Sequence, residues 1–148
     1  MGTPFQIIYD SFLARINSDE WVLPEEMYIA QRDWFEFLKI AIFRFRFPRK
    51  ELTYDVDQMS FNEHLDNSEI QVLATYMKHE WIKRCVSSWE EIKMLYSNKD
   101  FSQANHLDKL IKLSDQVELE CVRACSTYSR SINGKPYDYT KLAGKKHG

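Results

Sequence analysis

Apolar residues recur at three- and four-residue intervals along most of this chain, the spacing that gathers them on one face of a helix. Phe5, Ile8, Tyr9, Phe12, Leu13 and Ile16 make the first stripe. Thr3 is placed to cap it, Pro4 suits the first helical position and Gln6 completes a capping box, which predicts a helix from about Pro4 to Asn17. Ser18 to Leu23 reads as a loop. Pro24-Glu25-Glu26 then opens a second helix, its acids at the favourable end of the helix dipole. The stripe there is Met27, Ala30, Trp34, Leu38, Ala41, Ile42 and Phe45. Phe35, Phe37, Ile40 and Phe43 widen it, which predicts burial on more than one side, and Pro48 ends the helix.

The helical period is lost between Lys50 and Leu65. Leu52, Tyr54 and Val56 alternate with polar residues, Asp57-Gln58 reads as a turn, and Phe61 and Leu65 follow, so a small β-hairpin or an extended loop is expected. Asp66-Asn67-Ser68-Glu69 is a second box-like start. From it the stripe Ile70, Leu73, Ala74, Met77, Trp81, Cys85, Ser88, Trp89, Ile92, Leu95 and Tyr96 predicts one long helix to about Ser97. Asn98 to Ser102 breaks the pattern, with Asp100 or Ser102 as the next cap. A further stripe, Ala104, Leu107, Leu110, Ile111, Ser114, Val117, Cys121, Ala124, Cys125 and Tyr128, runs to the stop signal Asn133-Gly134.

These elements predict an all-α fold. It is a helical bundle built on a long antiparallel helix hairpin, with a small extended or β-hairpin insertion at about 50–65 and a flexible C-terminal arm. Residues 1–134 make the bundle domain and residues 135–148 the extended arm, which has anchors but no core of its own.

Composition narrows the classes. The 148 residues suit one domain with one core. Twenty basic against twenty-two acidic residues give a net charge of −2, which argues against coating nucleic acid by bulk charge. Aromatics at 14% speak against disorder. The Trp34–Phe47 stretch is broken by Glu36, Lys39, Arg44 and Arg46, so it cannot span a bilayer. Gly2 invites a myristoylation reading, but Gln6 stands where Ser or Thr is wanted, and the first residues carry no signal-peptide pattern. Three cysteines do not close a disulfide framework, and a reducing compartment is the simpler expectation.

Candidate chemistry is sparse. Cys121 and Cys125, one turn apart, are two soft ligands in search of a third, but both lie on the apolar stripe, as does Cys85. The histidines, His64, His79, His106 and His147, form no Glu-x-x-His pair and read as surface or capping residues. No phosphate-cradling glycine loop and no Gly-x-Ser-x-Gly elbow is present. The expectation is no catalytic residue, no metal and no cofactor.

The segment Phe43-Arg44-Phe45-Arg46-Phe47-Pro48-Arg49-Lys50 stands out. It reads as a nucleic-acid contact, arginine on phosphate and phenylalanine on base. It reads also as core aromatics with cations at a helix C-terminus, which the slightly acidic balance of the whole chain favours, or as a protein interface. Trp34, Trp81 and Trp89 fall on stripes, whereas Trp21 falls in a loop and is a contact candidate.

Several blocks carry a resemblance: Ala41 to Arg49, Phe61 to Leu65 with Glu69-Ile70, Leu73 to Met77, Trp81 to Arg84, Asp100 to Leu107 and Leu142 to Lys145. Together they resemble the small helical head-tail connector, or neck adaptor, proteins of tailed bacteriophages of Gram-positive hosts. The likeness spans about Ala41 to Lys145 and leaves out the first helix. It implies a structural protein of the virion neck, made in the host cytoplasm, that forms a ring between portal and tail and lets DNA pass. Implied partners are the portal protein, neighbouring copies in a twelve-fold ring, the next neck or tail-completion protein, and transiently the viral DNA, with no membrane. It places the portal contact on the arm, at Tyr137, Tyr139, Leu142 and Lys145. The loop and helix end, Trp21, Arg44, Arg46, Arg49, Tyr54 and Phe61, are the second contact set. The alternative is a soluble helical regulatory module that binds nucleic acid or protein through residues 43–50. A metal-dependent bundle enzyme rests on Cys121 and Cys125 alone.

Overall fold

The computed structural model describes residues 2–17, 31–95, 101–132 and 135–136, and it is mostly helical. The helices are α1 (Phe5–Asn17), α2 (Gln31–Arg44), α3 (Asn67–Leu95) and α4 (Phe101–Ser129). Strands β1 (Tyr54–Asp55) and β2 (Ser60–Phe61) pair antiparallel, Tyr54 opposite Phe61 and Asp55 opposite Ser60. A second small ladder joins β3 (Ser131–Ile132) to β4 (Lys135–Pro136), so the first residues of the expected arm pair with the residues that follow α4.

The two capping signals behave differently. At α3 the box forms: Asp66 Oδ1 accepts from the Glu69 amide at 2.9 Å, and Glu69 Oε1 accepts from the Asp66 amide at 2.9 Å. The Ser68 hydroxyl also donates to the Asp66 carboxylate at 2.6 Å. Burial alone would raise the Asp66 carboxyl, but these bonds and nearby Lys50 hold it below the usual carboxylate range. At α1 the expected box does not form. Thr3 Oγ1 instead accepts from the Leu65 amide at 2.8 Å, and Gln6 donates to Asp10 one turn on.

The first residues are stitched to the hairpin. Phe61 donates to the Thr3 carbonyl at 2.8 Å, Phe5 to the Met59 carbonyl at 2.9 Å, and Thr3 to the Glu63 carbonyl at 3.2 Å. The approach is close enough that a Cβ on Gly2 would stand 1.4 Å from the Phe61 carbonyl oxygen, so only glycine fits there.

Helix α3 lies at the centre, packed by α1, α2 and α4. Its contacts with α4 run in opposite residue order: Glu69 meets Tyr128, Tyr76 meets Cys125, and Lys78 meets Glu120. Phe5, Ile8 and Phe12 of α1, Leu38 and Ala41 of α2, and Leu73, Met77 and Ile82 of α3 are all buried. Around the hairpin an aromatic cluster closes the end of the core, with Phe5 edge-on to Tyr54 and Phe61 and stacked on Phe35.

Two expectations for α2 are corrected. The helix stops at Arg44, short of the proline, because Phe45 turns inward, 5.0 Å from the Tyr128 ring at 85°, and Phe47 takes a left-handed backbone with φ of 59°. Burial on several sides does not hold either, since Ile40 is 41% and Phe43 89% exposed.

Candidate interaction surface

The Phe/Arg segment divides between inside and outside. Arg44 belongs to the inside. Its guanidinium meets Glu80 at 2.8 Å, donates to His79 Nδ1 at 2.9 Å and lies 4.5 Å over the Tyr76 ring. Arg49 does as well. It donates through its side chain to the Tyr128 carbonyl, lies 4.2 Å over that ring, and its backbone amide donates to the Tyr128 hydroxyl at 2.7 Å. Lys50 completes the anchor, its ammonium 3.1 Å from Glu69 and 2.6 Å from the His64 carbonyl. The carboxylate at Glu69 is wholly buried, so each of these bonds offsets its lost hydration.

Phe43, Arg46 and Phe47 point outward. Phe43 is 89% and Phe47 91% exposed, and both border a hollow of about 590 Å³ floored by Tyr76, Cys125 and Tyr128. Val122 of α4 closes its far side, itself 62% exposed, with Leu119 one turn away. Arg44 and exposed Arg46 line this notch, and exposed Arg49 lies over the Tyr128 ring at its floor. Two phenylalanines standing in water beside arginines have the composition of a protein-docking patch.

The other predicted contacts are placed differently. Phe61 is corrected from a contact to a core residue: it is 1% exposed because β2 turns it onto Phe5 and Tyr54. Tyr54 is half-buried in the same cluster. Trp21, Tyr137, Tyr139, Leu142 and Lys145 lie outside the described residues.

A second apolar surface lies at the hairpin turn. Val56 is 53% and Met59 43% exposed, and Met59 with Gln58, Pro4, Gln6 and Phe35 lines a hollow of about 580 Å³. Asp55 Oδ1 accepts from the Asp57 amide at 2.9 Å, and Met59 donates to the Val56 carbonyl at 3.2 Å, which holds the turn rigid.

Of the histidine and cysteine candidates, His79, Cys85 and Cys121 are buried, Cys125 is half-buried and His64 is exposed. His79 is 5% exposed, a core histidine rather than a surface one. Burial, and then the Arg44 charge, hold its imidazole below its ordinary pKa. Burial pushes the Cys85 and Cys121 thiols up to about 12, the direction that makes a thiol inert. Cys125 Sγ sits 2.8 Å from the Tyr76 hydroxyl. Among the described residues no group of three or more His, Cys, Asp or Glu could hold a metal ion, and no helix is long and apolar enough to cross a membrane.

Sequence reasoning missed Val122, Leu119, Met59 and Tyr128 as surface or anchor residues. The first two carried a signal, since Leu119 and Val122 fall off the Val117, Cys121, Tyr128 stripe. Tyr128 carried none, because its partners Glu69 and Arg49 are 59 and 79 residues away. No protein-family model, no curated protein and no solved structure matches the chain.

Proposed function

We propose that this chain is a structural virion protein, a head-tail connector that forms a ring between the portal and the tail and lets DNA pass. The observation that carries the reading is the aromatic notch, with Phe43 and Phe47 each about nine-tenths exposed on an ordered scaffold. A protein keeps such a surface in water when a partner covers it. The resemblance over Ala41 to Lys145 supplies the partner class. The scaffold is a pair of 29-residue helices, read as the antiparallel hairpin of an adaptor, with the arm from residue 135 reaching the portal through Tyr137, Tyr139, Leu142 and Lys145.

The alternative, a nucleic-acid contact through residues 43–50, keeps Arg46 but loses its other arginines, since Arg44 and Arg49 are committed to Glu80 and Tyr128.

Quantitative mass spectrometry of purified particles tests the proposal. The expected result is this chain beside a portal protein at a ring copy number, about twelve on the usual cyclic symmetry. Its absence from particles would overturn the reading. Salt-dependent DNA binding that falls when Arg46 becomes Ala would then support the alternative.

A further inference from the structure

Two exposed apolar sites on this chain have opposite charge and cannot meet each other within one copy. The hairpin turn presents Val56 and Met59 with Asp55 and Asp57. The notch presents Phe43, Phe47 and Val122 beside Arg44 and Arg46, with Arg49 over its Tyr128 floor. The turn is tied to the start of α1 through the Met59 carbonyl and a bridge from Pro4 to Ser60, and it lies against Phe35. The notch begins eight residues further along α2, about 12 Å at 1.5 Å per residue, and the two hollows share no lining residue.

We infer that the hairpin turn of one copy docks in the aromatic notch of a second copy. This rests on the reading of the chain as a ring-forming protein and names the contact that builds the ring. Charge selects this pairing. Two notches face to face bring Arg46 and Arg49 against their own likenesses, and two turns bring Asp55 and Asp57 together, whereas turn against notch sets opposite charges side by side. The chain's own arm is a poor occupant, because residues 137–148 carry Lys141, Lys145 and Lys146 against one acid, Asp138. The turn is already held by its Asp55 and Val56 bonds, so little ordering is lost on docking. A turn-to-notch contact uses different surfaces on the two copies, so it leaves one free turn and one free notch at the ends and adds copies until a ring closes.

Sedimentation of the full chain up to about 1 mM, a range that detects even weak contacts, is the test. The wild type is expected to self-associate. The double variant Phe43→Ser, Phe47→Ser loses its notch, the double variant Val56→Ser, Met59→Ser loses its turn, and each alone stays monomeric. Mixed in equal amounts they form a heterodimer and nothing larger, because the mixture holds one intact turn and one intact notch per pair. All four positions are exposed, and circular dichroism melts confirm that the variants fold. A wild type that remains monomeric at 1 mM overturns the contact. So does a mixture that fails to pair, or association that survives in either variant alone. Loss of association on neutralising Asp19, Glu20, Glu25 and Glu26, with the turn variant unaffected, assigns the notch to that acidic stretch instead. If particles contain the chain in ring copies while the mixing fails, the connector reading stands and this contact falls. If mixing succeeds with a chain absent from particles, the contact stands and the connector reading falls.

Discussion

The hydroxyl of Tyr128, in the last turn of α4, donates to Oε2 of Glu69, in the first turn of α3, over 3.1 Å. The same hydroxyl accepts from the Arg49 amide, so one oxygen ties together both ends of the long helices and the segment leaving α2. Glu69 meanwhile serves its own helix as the capping acid and meets Lys50. A carboxylate with no exposed surface is therefore shared by a cap, an ammonium and a phenol.

Tyr128→Phe keeps the ring over which Arg49 lies and the edge contact with Phe45, and removes only the hydroxyl. It leaves a buried carboxylate oxygen short of a donor, at a cost of about 1–3 kcal/mol in urea unfolding. Paired with Glu69→Gln in a double-mutant cycle, the two losses are expected to be less than additive. Full additivity would show that the hydrogen bond contributes nothing.

Arg44 and Arg46 are two residues apart and are expected to separate in experiment. Arg44→Ala strips the partner from His79 and a cation from Glu80 and Tyr76, and is expected to destabilise by about 1–3 kcal/mol. Arg46→Ala is exposed and should leave stability within about 0.5 kcal/mol while weakening partner binding. Equal melting points for both variants would contradict the inward role of Arg44.

Phe47 adopts a backbone that non-glycine residues avoid, with φ of 59°. Replacing it with Gly relieves strain of about 1–2 kcal/mol and loses part of that to the freer unfolded chain. The expected outcome is unchanged or slightly higher thermal stability with a defective notch. A large drop in stability would mean that the ring, despite its exposure, supports the fold.

His79 gives a pH dependence of known sign. Its folded-state pKa lies below the unfolded value of about 6.5, so between the two the unfolded chain binds more protons. Stability is fully present above about pH 6.5 and falls as the solution is acidified through the folded pKa. His79→Gln flattens that slope, which unfolding midpoints from pH 5 to 7.5 would register. The Asp66 carboxyl is depressed too, and it adds a loss of the same sign in a lower window, below about pH 4.

Local signals and long-range ones fared differently in the sequence. The periodic stripes of α1, α3 and α4 could be read because each needs only its own residues. The Asp66–Glu69 box formed as spaced, because its bonds close within four consecutive residues and Lys50 and Tyr128 add to Glu69 without displacing them. The same pattern at Thr3 and Gln6 misled, because Leu65 claims the Thr3 hydroxyl from far along the chain. Phe43, Phe45 and Phe47 look alike in sequence, yet only Phe45 is buried. That choice is made by Tyr128, whose ring waits at the end of another helix. The notch was singled out as a segment but not as a shape, since its α4 side comes from residues some 75 positions away.

The stitching of Thr3 to Leu65 also bears on the order in which the chain is assembled. Thr3 leaves the ribosome 62 residues before its partner. At about 5–20 residues per second that is a wait of roughly three to twelve seconds. During that time Phe5, Ile8 and Phe12 have no core to enter, because α3 and the hairpin that receive them are not yet made. Helix α1 thus waits for the elements that receive it, and for those seconds its apolar stripe is available to whatever else binds such stripes in the cell.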